Sequence, residues 1–190
     1  MGLRICLFFS LIVFSVVSCS DSASPSLKSE NGFYQVEITE LAGSKIWKNL
    51  DGEEDTIENF LPVPVNLGEF AVAPIDSIND REFIKCFVLN SGSSVGEVME
   101  VYPVAVLKLL DGEKSVPFML LVPKEKERRL LDIRSLFELQ KECYTCKKNL
   151  EEWLSGLPAH RDLVFFGWED ETQAERLLDQ YSQISQSAEN

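Results

Sequence analysis

Val98-Met-Glu-Val-Tyr-Pro-Val-Ala-Val-Leu-Lys-Leu-Leu-Asp111 and, after a short break, Pro117-Phe-Met-Leu-Leu-Val122 decide the fold. Met99 to Leu110 reads as a strand long enough to bend around a barrel. Asp111-Gly112-Glu113-Lys114 has hairpin-turn chemistry, and Pro117 to Val122 is the returning strand. Working outward, Phe83 to Leu89 reads as a strand, Tyr34 to Ile38 alternates like one, and Asp51 to Asp55 is an acidic turn. Downstream, Ile133 to Leu154 contains an amphipathic helix, with Pro158 beyond its end. Leu163 to Gly167 is a last short strand, and Ala174, Leu177, Leu178, Tyr181 and Ile184 mark a terminal amphipathic helix. Strands first and helices last predict an α+β domain built on a small closed sheet.

The helix over 133–154 carries a C-x-x-C pair. Leu139, Cys143, Cys146, Leu150 and Trp153/Leu154 form one apolar stripe at spacings of three and four. The thiols therefore read as small core residues. A redox pair usually sits at a helix N-terminus, where the dipole stabilises a thiolate. The stripe places this pair mid-helix. A disulfide between them stays open in an oxidising compartment, with Cys86 then left over.

The chain begins with one positive charge at Arg4, then an apolar run from Ile5 to Val17 broken only by Ser10 and Ser15. A spanning helix needs roughly 20 apolar residues, so this run has the proportions of a signal-peptide core. Val16-Val17-Ser18-Cys19 resembles the lipobox cut by bacterial lipoprotein signal peptidase. Residues 1–18 are then a signal peptide, Cys19 is lipidated, and 19–31 form a flexible polar tether. Residues 32–190 form one domain, in keeping with their length. The expected address is the cell envelope, on the outer membrane or the periplasmic face, with the membrane as a partner through the lipid. An N-myristoyl reading of Gly2 fails because Cys6 stands where Ser or Thr is needed.

The sequence carries 31 acidic and 18 basic residues, a formal net charge of −13. That balance argues against nucleic acid and against an anionic membrane face. It names no protein partner.

The 98–111 strand, ending in Asp111, and Leu120-Leu-Val-Pro123 resemble the soluble, magnesium-dependent inorganic pyrophosphatases of family I. The resemblance continues through Asp132 to Leu139, Lys147 to Glu151 and Phe166-Gly167-Trp168-Glu169. It reaches back to Pro64-Val65-Asn66-Leu67-Gly68 and Glu37-Ile38. It implies a small, closed, OB-like five-stranded β-barrel flanked by C-terminal helices. It also implies Mg²⁺ ions that neutralise diphosphate and activate water, held by carboxylates from D-x-D-P-x-D and D-x-x-x-x-D-x-K segments.

The site residues implied are these. Asp80, Asp111 and Glu37 stand as remnant metal ligands, and Glu82 stands where the family has its proposed base. Lys45, Lys147 and Lys148 are phosphate-binding candidates, although helical phase puts Lys148 opposite the apolar stripe and Lys147 at its margin. Other positions depart from the pattern. Lys85 replaces an aspartate, Val116 another, Phe118 the lysine, and Leu67 a tyrosine. An ammonium at position 85 repels a metal cation, and Val116 with Phe118 would make one wall apolar. The expectation is a pyrophosphatase-like domain with lost or much reduced hydrolysis, serving as a binding or interaction domain. A phosphate or diphosphate anion is its candidate ligand, with Mg²⁺ needed only if activity remains. The rival reading is a working phosphohydrolase that gathers Asp80, Glu82 and Asp111 around one metal. A third, a thiol redox lipoprotein, requires Cys143 to be exposed.

Overall fold

The computed structural model describes residues 27–44, 46–48, 54–56, 62–72, 82–111, 114–156 and 163–188. The expected signal peptide, Cys19 and most of the tether lie outside these residues, as do Lys45 and Asp80. Glu82 and Asp111 lie within described strands, but their side chains are outside the description.

Eight strands and three α-helices occur among the described residues. In chain order they are β1 (Tyr34–Glu40), β2 (Ile46–Lys48), β3 (Glu54–Thr56), β4 (Asn66–Val72), β5 (Glu82–Val88), β6 (Val98–Asp111), β7 (Lys114–Pro123), α1 (Leu136–Glu142), α2 (Tyr144–Ser155), β8 (Leu163–Glu169) and α3 (Glu171–Ala188). The main sheet runs β1-β4-β5-β7-β6-β8, and β1 also pairs with β6. That extra pairing closes a five-stranded ring, the small barrel expected from the sequence, and leaves β8 outside it. All neighbours are antiparallel except β5 and β7.

The 14-residue β6 makes closure possible. One edge pairs with β7 along its length. The other edge pairs first with β1, over Val98–Val101, and then with β8, over Val106–Asp111. The β6–β7 register shifts between Pro103 and Ala105, a bulge where a proline's missing N–H is tolerated and the strand bends.

Alternating residues sort into two apolar clusters. One holds Val36, Ile38, Phe70, Cys86, Val101, Met119 and Leu121 and is joined by Ala174 and Leu178 of α3. The other holds Leu67, Phe87, Leu107, Phe118 and Leu120 and is joined by Leu139 of α1 and by Leu150, Trp153 and Leu154 of α2. At Gly68 the strands approach closely. A Cβ there would lie 2.7 Å from Val36 Cγ2 and 2.9 Å from the Glu37 carbonyl oxygen.

Polar contacts pin α3. The Tyr34 hydroxyl donates to Asp179 Oδ1 at 2.6 Å, and Lys28 Nζ donates to the same oxygen at 2.7 Å. Burial first, then Asp179, pushes the Tyr34 phenol well above its ordinary range. Lys28 first, then Tyr34, holds the Asp179 carboxyl below the usual range. A carboxyl depressed by folding adds stability above its unfolded pKa and loses it as pH falls through the folded one. Acid is therefore expected to loosen α3 below about pH 4. Hydrogen exchange of α3 amides, corrected for intrinsic rates, should show that step in the parent protein and not in Asp179→Asn.

Two sequence expectations are corrected here. The helix expected across 133–154 is two helices. Ser135 caps α1 by accepting from the Glu138 N–H at 3.1 Å. Cys143 then leaves helical geometry, with φ −149° and ψ 70°, and stands as the N-cap of α2. The Cys143–Cys146 pair is therefore at a helix N-terminus, and it is disulfide-bonded. It is not a pair of mid-helix core thiols. The acidic turn expected at 51–55 also changes, since Glu54 and Asp55 belong to β3, which pairs with β2.

Candidate functional site

The wall of interest is the side of the sheet that faces α2. Cross-strand register places Glu37 of β1 opposite Glu69 of β4, and Glu69 opposite Lys85 of β5. The result is one lateral row of two carboxylates and an ammonium on a single face. Leu67 sits opposite Phe87 in the next row on that face.

Lys85 is the chemical centre of this wall. Its Nζ donates to Glu69 Oε1, and the two side chains are 7% and 16% exposed. An ammonium held in so little water needs a carboxylate partner in direct contact. Apolar rings lie on the same face. Phe87 lies 4.6 Å from Phe118, centroid to centroid, and 5.7 Å from Trp153 of α2. Phe118 and Leu67 are buried, and Val116 is half-buried against the same cluster.

Helix α2 supplies the polar margin. Lys147 Nζ donates to Glu151 Oε1 at 2.5 Å, and Trp168 Nε1 donates to the same oxygen at 2.6 Å. Lys147 Nζ also lies 5.2 Å from the Trp168 ring centroid. Lys148 is 60% exposed and pairs with Glu152 at 3.3 Å, on the solvent side that helical phase indicated. On the neighbouring strands Lys108 pairs with Glu169 at 3.0 Å.

The structure thus brings together Lys85, Leu67, Val116 and Phe118, the four positions that depart from the resembled pattern. Glu37 joins them through Glu69. Lys147 is committed to Glu151 and Trp168, and Lys148 is turned to solvent. Sequence reasoning missed Glu69. Its signal was indirect: a lysine between Ile84 and Cys86 in an apolar strand demands a facing acid. Among the described residues no three His, Cys, Asp or Glu side chains are placed to share a metal ion. A cleft of about 270 Å³, lined by Gln35, Met99, Glu100, Lys124 and Arg128 among others, includes none of the expected site residues.

Solved structures with this architecture are numerous. The type I inorganic pyrophosphatase from P. falciparum superposes with a TM-score of 0.65 at 16% identity, over 86% of this chain and 62% of that one. The inorganic pyrophosphatase from Coxiella burnetii gives 0.64 at 18% identity, over 86% of this chain and 99% of that one. The enzyme from Thermus thermophilus gives 0.63 at 18% identity, covering 85% and 94%. This chain has the inorganic pyrophosphatase fold. No protein-family profile matches the sequence, and no curated protein matches it by sequence. The likeness is therefore one of backbone. Within the pyrophosphatase fold of this chain, the face under α2 carries a neutralised charge pair and aromatic rings.

Among the described side chains, which do not include those of Asp80, Glu82 and Asp111, that wall does not suit a magnesium ion. Magnesium takes oxygen ligands in near-octahedral array. Here the row offers Glu37 and Glu69 with an ammonium seated on the second carboxylate, while Val116 and Phe118 present only carbon.

Proposed function

We propose that this chain is a pyrophosphatase-fold binding or interaction domain, carried by an envelope lipoprotein anchored at Cys19, with lost or much reduced Mg²⁺-dependent diphosphate hydrolysis. The observation that carries the reading is the Lys85–Glu69 pair. Lys85 stands where the resembled family has a carboxylate metal ligand. Its charge already has a partner, and little of either side chain is left open to the water a phosphoryl-transfer site must admit. A phosphate or diphosphate anion would have to compete with Glu69 for Lys85 and with Glu151 for Lys147, so anion binding at this wall is weak. The signal-peptide and lipobox pattern supports the address. Biosynthetic diphosphate arises in the cytoplasm, away from an exported domain.

The test is phosphate release from diphosphate by the purified full chain, with Mg²⁺ or Mn²⁺, read with malachite green. No release above the buffer control is expected. Turnover that vanishes in Asp80→Asn would establish instead a phosphohydrolase built on Asp80, Glu82 and Asp111. In the same bacterial host, labelled palmitate should be incorporated by the parent chain and not by Cys19→Ser; equal incorporation would remove the anchor.

A further inference from the structure

The Cys143–Cys146 disulfide lies outside everything proposed above. It links the N-cap of α2 to the first turn of the same helix. Residues three apart at that point are already held together, because the Cys146 N–H donates to the Cys143 carbonyl at 3.0 Å. A disulfide stabilises a fold mainly by closing a long loop in the unfolded chain, and this one closes nearly the shortest loop there is. It joins no two distant parts of the sheet. As a staple it accomplishes little.

As chemistry it is well placed. Both cysteines are part-exposed, and the residue following Cys143, Tyr144, is 68% exposed. Cys146 also packs against the apolar cluster under α2, whereas Cys143 does not, so Cys143 is the sulfur open to attack. Cys143 is the C-cap of the seven-residue α1 as well as the N-cap of the twelve-residue α2, and the N–H groups and dipole of the longer helix's first turn favour negative charge there. Thiolates at helix N-termini and in C-x-x-C pairs are correspondingly stabilised.

We propose that Cys143 and Cys146 form a thiol–disulfide exchange site that accepts two electrons from a thiol donor, either a protein dithiol or a small monothiol. A donor thiolate attacks Cys143 Sγ, the Sγ–Sγ bond breaks, and its electron pair leaves on Cys146 as a thiolate in the first turn of α2. A second donor thiolate then attacks the donor sulfur of the mixed disulfide. The donor departs as its own disulfide, and Cys143 is released as a thiolate at the N-cap. The donor's two protons pass to solvent or to the new cysteine pair according to pH.

The full chain is reduced, treated with iodoacetamide between pH 5 and 9, and mapped by mass spectrometry. Cys86 is the internal control. It is wholly buried, and burial pushes its thiol far up, so it stays unlabelled while the fold persists. At pH 6.5 Cys143 is expected to react about tenfold faster than an unstructured cysteine peptide, with Cys86 unlabelled. In Cys146→Ser, Cys143 should trap a mixed disulfide. Reduced thioredoxin and glutathione are compared as reductants of the oxidised parent; faster reduction by thioredoxin assigns a protein dithiol, and faster reduction by glutathione assigns a monothiol. A Cys143 rate no greater than the peptide's overturns the proposal. So does labelling of Cys86 on reduction, which would make the disulfide a structural element. Phosphate release plays no part in this test, so it stands or falls apart from the reading of the wall.

Discussion

Lys85→Ala is expected to lower the free energy of unfolding by about 3–5 kcal/mol, the usual cost of removing one partner from a buried ion pair. The loss is less the missing attraction than the stranded carboxylate. Glu69, only 16% exposed in the parent, would keep its charge without that ammonium, with Glu37 facing it across the strand pair, and two like charges in register repel. Urea denaturation of parent and variant measures the difference. The informative companion is Lys85→Met with Glu69→Leu. Replacing both charges by apolar groups of similar size is often neutral or stabilising, so the double variant should return to within about 1 kcal/mol of the parent or exceed it. A single variant costing less than about 1 kcal/mol would mean that water reaches the pair, and the account of the wall would fail.

Trp153→Ala should cost a similar amount, about 3–5 kcal/mol, for a different reason. Trp153 is 1% exposed and meets Phe87 edge-on. Deleting it opens a cavity between α2 and the sheet that neighbouring rings can only partly fill. The variant should also release the far side of the helix, where Glu151 holds Lys147 and Trp168, so amide exchange across α2 should rise. Tyr144→Ala on the same helix is the control. Its side chain is 68% exposed, and a change within about 0.5 kcal/mol is expected. If both variants behave alike, α2 does not anchor through Trp153.

Much of the fold was legible because strong local patterns agreed with the final packing. β6, β7 and α3 have long, clean apolar periods, and the sequence Asp111-Gly112-Glu113-Lys114 between the first two has turn chemistry. β4 was not read as a strand. Gly68 interrupts its alternation, and the reason for that glycine is the nearby Val36 side chain and Glu37 carbonyl, which are distant in sequence. The break at Cys143 was hidden for the opposite reason. The apolar stripe runs through it unbroken, so periodicity alone favours one helix over two. At the site, the departures at Leu67, Lys85, Val116 and Phe118 could be seen residue by residue. Their convergence on one face and the identity of Glu69 as partner depend on register, which single-strand patterns do not contain.

The Lys85–Glu69 contact also bears on how such a chain can change over generations. Suppose a carboxylate were introduced at position 85. The first step would place it against Glu69, with Glu37 next in the row, three acids on one face and no cation among them. Altering Glu69 first would take from a buried ammonium the carboxylate on which it is seated. Each route crosses a destabilised intermediate of several kcal/mol, a large share of the margin a domain of this size possesses. Paired substitution in a single step is rare, so the pair acts as a latch: sequence drift elsewhere on the barrel is open, while a change to a wholly carboxylate-lined wall is opposed by folding itself.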